Sequence, residues 1–197
     1  MLNEMLGVME NWDKAKEFVI ACLRKKTIGS GQVTKEFVDM EEYVRVDFGM
    51  ASTVVTEEIL EKWWSISEEE LFAQAEKNMS KYRVLGLSKM LGYDDGENDV
   101  LFFLGLGTGT AKPFGAGVIC NKNVLEDVRM RMNDDFYVIP SSIHEVLVIS
   151  SSDVKQIGAD DIRSTIGIIN QKEVADDEVL SNNLYEYTAK HGLRIAW

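Results

Sequence analysis

The sequence predicts an α+β domain: an antiparallel β-sheet built from hairpins, with helices packed on it. Three observations carry this prediction. Segments whose apolar residues alternate with a period of two are interleaved with segments of spacing three and four. Glycine or proline marks the short turns between neighbouring strand segments. Ser, Thr and Asn stand where the helical segments begin. With 197 residues, 45% of them hydrophobic, 27% charged and only two prolines, the chain has a globular composition and enough length to bury one core. Residues 1–30 read as an N-terminal helix and hinge loop packed on the main body, and 31–197 as a single α+β domain.

Apolar residues at Val8, Trp12, Ala15, Val19 and Cys22 predict one amphipathic helix, closed by Lys25 and Lys26 at the negative end of its dipole. Thr27–Gly31, with two glycines and a serine, predicts the hinge. Val44, Val46 and Phe48 alternate with Tyr43, Arg45 and Asp47, a half-buried strand that Gly49 ends before a second strand over Met50–Val55. Thr56 is placed to cap a helix over Glu57–Trp64. Ser67 and Glu70 form a capping box ahead of a second helix through Leu71, Ala75 and Met79. A β region opening at Asn98 leads into Val100–Leu106, apolar on both faces and so expected to be covered from both sides. Gly115–Cys120 reads as its partner strand, and Asn121 as the cap of a helix over Lys122–Met132 with Val124, Leu125 and Val128 inward. Phe48–Glu61 and Phe114–Glu126 echo each other as glycine, strand, cap and helix, the arrangement of two ββα units. Phe136–Ile139 and Val146–Ile149 form a strand pair around Pro140. The last third reads as helical, with stripes at Ile162, Ile166, Ile169 and at Leu180, Leu184, Tyr187, before a short closing strand from Leu193.

Reactive residue types are sparse. The glycine-rich Gly105–Gly117 satisfies neither dinucleotide nor phosphate-loop spacing, because Thr110 stands where a third glycine is needed and a proline follows Lys112. A hairpin loop is the reading. Ser142, His144 and Glu145 within P-S-S-I-H-E supply hydroxyl, imidazole and carboxylate, the ingredients of nucleophilic catalysis, although such groups normally converge from separate elements. The competing reading is a turn whose hydroxyls satisfy main-chain groups. The only other histidine is His191, no two-histidine metal spacing exists, and neither a metal nor a cofactor is implied. Cys22 and Cys120 lie far apart and read as buried free thiols. Trp63 and Trp64 diverge by about 100° on a helix, so at most one points inward.

F-G-M-A-S-T-V-V-T-E-E-I-L-E-K-W with W-S-I-S-E-E-E-L-F, D-F-Y-V-I-P-S-S-I-H-E-V-L-V-I and E-V-L-S-N-N-L-Y-E-Y together resemble an uncharacterised bacterial domain family of unknown function, found chiefly in Firmicute-type genomes. The resemblance runs from about Trp12 to Tyr187 and departs from the family pattern at the glycine-richer Gly105–Gly117. It implies a bacterial α+β domain and carries no activity and no catalytic residue.

Lys and Arg total 21 against 33 Asp and Glu, a net charge of −12. That field argues against direct nucleic-acid binding and favours a basic protein partner. No apolar run is long enough to span a membrane and no basic leader opens the chain, so a cytoplasmic location is expected. The function expected is a non-enzymatic binding or regulatory module with an acidic surface. Two alternatives stay open: a small hydrolase or transferase using Ser142, His144 and Glu145, and an acidic inhibitor of a nucleic-acid-handling protein. The oligomeric state is left open.

Overall fold

Two antiparallel sheets organise the computed structural model, which describes residues 2–27, 31–93, 99–107 and 112–196, with side chains from Glu4 onward. Sheet 1 comprises β1 (Val19–Lys25), β2 (Thr34–Phe37), β3 (Met40–Asp47) and β4 (Ser52–Val54), in the order β1-β3-β2 with β4 also paired to β3. Sheet 2 comprises β5 (Tyr82–Gly86), β6 (Leu101–Leu106), β7 (Phe136–Ile139), β8 (Val146–Ser150), β9 (Tyr185–Thr188) and β10 (Gly192–Ile195), in the order β10-β9-β7-β8-β6-β5. The helices are α1 (Leu2–Met9), α2 (Trp12–Ala15), α3 (Glu68–Asn78), α4 (Leu87–Met90), α5 (Lys122–Met132), α6 (Ser151–Ile157) and α7 (Ala159–Glu173). The architecture is α+β with antiparallel sheets, as the sequence predicts.

Strand alternation decides which side chains enter the core between the sheets. Val19, Ala21 and Leu23 of β1 stand opposite Val46, Val44 and Glu42 of β3, so these share one face, and α3 covers it with Leu71, Phe72, Ala75 and Met79. In sheet 2, Phe136, Val138, Val148, Leu104 and Tyr185 face the main core, while Tyr137, Ile139, Ile149 and Leu101 face α6 and α7 on the outside. Asp39, in the β2–β3 turn, ties the sheets together by accepting hydrogen bonds from Tyr185 Oη (2.6 Å), Asn183 Nδ2 (2.8 Å) and Ser181 Oγ (3.0 Å).

Where local signals stand alone the elements match them. Gly49 turns β3 into β4 at φ +83°, and its N–H donates to Asp47 Oδ1 at 2.9 Å. Ser67 Oγ accepts from Glu70 N at 3.1 Å and Asn121 Oδ1 from Asn123 N at 2.9 Å, each capping the helix that follows. Trp64 is buried and donates to the Met9 carbonyl at 2.7 Å, while Trp63 is exposed. Glu70 does not reach back to close its capping box; its carboxylate accepts from Trp12 Nε1 at 2.8 Å, which holds the N-terminal helices on α3.

Five predictions are corrected. The single helix over Val8–Cys22 is two short helices and a strand: Asn11 caps α2, and the apolar run from Val19 pairs along seven residues with β3. A run buried on both faces at this length suits a strand as well as a helix, and the pairing decides. Gly115–Cys120 is a 3₁₀ segment and not a strand, so the second of the two ββα units does not form. The stripe Leu180, Leu184, Tyr187 is not helical; Tyr185 and Tyr187 alternate inward along β9 against β7. Within α7, Ile162 and Ile166 are buried but Ile169 is exposed. The helix capped by Thr56 takes π geometry over Ile59–Trp64, with Ser65 N bonded to Leu60 O at 2.8 Å. Residues 28–30 of the hinge expected over Thr27–Gly31, the opening of the β region at 98 and residues 108–111 of the glycine-rich stretch lie outside the described residues.

Candidate functional site

Pro140 ends β7, and the connection to β8 closes as a turn: Ser142 N donates to Glu145 O and His144 N to Ser142 Oγ, each at 3.1 Å. The Ser142 hydroxyl thus serves the main chain, and no described hydrogen bond joins it to the imidazole. Glu145 points along the outer face of sheet 2, its carboxylate 4.0 Å from Arg83 of β5. His144 has two partners from distant segments. Its Nδ1 accepts the main-chain N–H of Phe114 at 3.2 Å, and its Nε2 lies 3.2 Å from Glu178 Oε1. Because Nδ1 accepts, the unprotonated ring carries its hydrogen on Nε2 and donates it to Glu178.

The segments that meet at His144 are held by further bonds. Ile143 N donates to Glu178 O at 3.0 Å, and Ala116 N to Ile143 O at 3.2 Å. Phe114 takes the left-handed conformation (φ 60°), its ring 5.9 Å from the imidazole and 4.4 Å below the Arg45 guanidinium. The imidazole is 38% exposed and the Glu178 side chain 39%, so the pair sits at the rim of the fold. The structure therefore joins His144 to Glu178, the acidic residue that opens the segment E-V-L-S-N-N-L-Y-E-Y, and turns Ser142 and Glu145 to other partners. No spacing rule links 144 to 178; only the path of the chain after α7 brings them together.

The glycines beside this cluster have a steric purpose. A Cβ on Gly115 would lie 2.5 Å from the His144 carbonyl oxygen and 2.7 Å from Leu106 N, and one on Gly117 would overlap the Ala21 carbonyl. The 3₁₀ segment lies across the edge of β1 that no described strand pairs with: Phe114 rests on Arg45 on one face, while Cys120 neighbours Glu42 on the other. Gly115 and Gly117 thus serve close backbone packing.

A second titratable cluster lies under α3. Glu42 is fully buried, 3.2 Å from the Lys35 ammonium, which also pairs with Glu76 and lies 4.7 Å from the centre of the Phe72 ring. Neither Glu42 oxygen has a well-formed hydrogen bond, so Lys35 serves it as a charge more than as a directed donor. Burial raises its carboxyl from 4.5 to about 7, with Lys35 opposing and Glu76 adding to the rise. The signal was present in the sequence: Glu42 shares the inward register of Val44 and Val46. Burial also raises both cysteine thiols, so neither is poised as a nucleophile.

A third feature is an apolar groove of about 320 Å³ between α7 and the outer face of sheet 2. Among the described residues no group of three or more His, Cys, Asp or Glu is placed to hold a metal, and no helix is long and apolar enough to cross a membrane.

Residues 42–189, from Glu42 of β3 to just beyond β9, match the model of a family of unknown function (DUF5688). The chain belongs to DUF5688. The matched region holds Phe114, His144, Glu178 and the groove; β1 and β2, with Lys35, lie before it yet pair with β3 inside it. No curated protein and no solved structure matches the chain. DUF5688 membership agrees with the resemblance carried by P-S-S-I-H-E and brings no activity with it.

Proposed function

We propose that this DUF5688 chain is a non-enzymatic binding module that docks a basic protein partner through its acidic surface. The observation that carries the reading is the engagement of both His144 ring nitrogens, by a main-chain amide and by Glu178. An imidazole whose one lone pair accepts from Phe114 has none directed at a nucleophile or a substrate. Ser142, spent on the turn, and the two buried thiols support the same view. The net charge of −12 supplies the attraction, because a one-signed field speeds encounter with an oppositely charged surface.

The test is capture by the immobilised chain from extract of its own cells, with bound proteins identified at low salt and again at about 0.5 M salt, where surface attraction is screened. The reading expects a basic protein that is retained at low salt and released at high salt. Recovery of no basic protein would contradict it. So would hydrolysis of an ester, amide or phosphoester reporter that Ser142→Ala and His144→Ala each abolish without unfolding the chain.

A further inference from the structure

The two faces of β6 are both apolar, yet among the described residues only one is closed. Phe102, Leu104 and Leu106 enter the main core, whereas Leu101 and Phe103 belong to the outer face and stay partly exposed. Helix α7 crosses that face and buries Ile162 and Ile166 on it. Beside the helix lies the groove of about 320 Å³, floored by Leu101, Leu147 and Ile149. Its helical wall runs from Asp161 to Asn170, about 13 Å at 1.5 Å per residue. That volume spread over that length is a trench about as wide as one row of aliphatic side chains.

The rim has a definite chemistry. Asp161, Thr165 and Ile169 recur every four residues along α7, Ile157 and Ile169 are 47% and 46% exposed, and among the described residues no Lys or Arg lines the groove. No cation is paired with the Asp161 carboxylate among the described contacts. An occupant therefore needs a stripe of apolar side chains at helical spacing and a positive charge at the end where α7 begins. A second copy of this chain would bring another net charge of −12 against this rim, and an anionic lipid surface would likewise be repelled.

We infer that the groove between α7 and the outer face of sheet 2 receives the apolar stripe of an amphipathic, lysine- or arginine-flanked helix of the partner, with a cation meeting Asp161. This rests on the reading of the chain as a binding module for a basic protein and assigns the place where that protein docks.

The probe is a synthetic helical peptide of about 18 residues, Leu at spacings of three and four and Lys elsewhere, titrated into the full chain and followed by fluorescence anisotropy and amide chemical shifts. The expected result is binding with shifts concentrated at Leu147, Ile157, Asp161 and Ile169, weakened about tenfold or more by Ile169→Glu and by Asp161→Lys and unchanged by Glu61→Lys in the π-helical segment, which does not line the groove. Thermal transitions of the variants establish that each is folded. Shifts scattered over the acidic surface, with Ile169→Glu silent, would overturn the groove as the docking place and leave the basic-partner reading standing. Absence of peptide binding at low salt would overturn the groove assignment as well, and the capture experiment would then judge the broader reading separately.

Discussion

Gly117 packs its α-carbon against the main-chain carbonyl of Ala21, on the edge of β1 that pairs with no strand among the described residues. A strand edge left open invites pairing with another chain, and here the 3₁₀ segment covers it by backbone contact, which only glycine allows. Gly117→Ala forces a methyl into a carbonyl that has no side-chain freedom to yield. A loss of about 3 kcal/mol is expected, measured by denaturant unfolding. Gly167→Ala, in α7 with nothing within 4 Å of the added Cβ, should stabilise by about 0.5–1 kcal/mol. Equal effects at the two glycines would show that the close approach is not what Gly117 provides.

Removing His144 orphans the Phe114 amide, whereas removing the Glu178 carboxylate breaks only a half-exposed contact. His144→Ala should therefore cost about 1–3 kcal/mol and Glu178→Gln less than about 1 kcal/mol in equilibrium unfolding. Nitrogen chemical shifts of the unprotonated ring should report hydrogen on Nε2. Hydrogen on Nδ1 would contradict the bond to Phe114.

Glu42 makes stability depend on pH in a defined direction. Its carboxyl titrates near 7 in the native state against 4.5 when free. Below 4.5 both states hold the proton; between 4.5 and 7 the unfolded chain releases it while the native chain keeps it, so stability falls as pH rises through that window and is flat above it. Glu42→Gln should remove this slope, leaving the variant on the order of 3 kcal/mol more stable at about pH 8 than wild type, with the two converging near about pH 4. Parallel stability curves for the two proteins would show that Glu42 is not held protonated by burial.

Both thiols are buried and raised by that burial. A thiol reagent at neutral pH should leave Cys22 and Cys120 unmodified in the native chain and label both in denaturant. Rapid native labelling at either position would place that sulfur at the surface.

What the sequence made legible was local. The caps at Ser67 and Asn121, the turn at Gly49 and the inward set Val124, Leu125, Val128 each depend on neighbours a few residues away. The misreadings share a different cause. Val19–Lys25 and Tyr185–Thr188 carry spacings that fit a helix or a strand, and the partner strands β3 and β7 decide between them. Gly115 and Gly117 looked like loop freedom because the backbones they admit, at Leu106, His144 and Ala21, are remote in sequence. At the candidate site, P-S-S-I-H-E was visible as a cluster, but what His144 does depends on Phe114 and Glu178, which no motif connects to it.

The most direct test is a fluorophosphonate probe, which labels a serine only when a base activates it. A histidine engaged at both nitrogens and a serine spent on its turn predict no labelling of the native chain. Covalent labelling at Ser142 that disappears in His144→Ala would contradict the account.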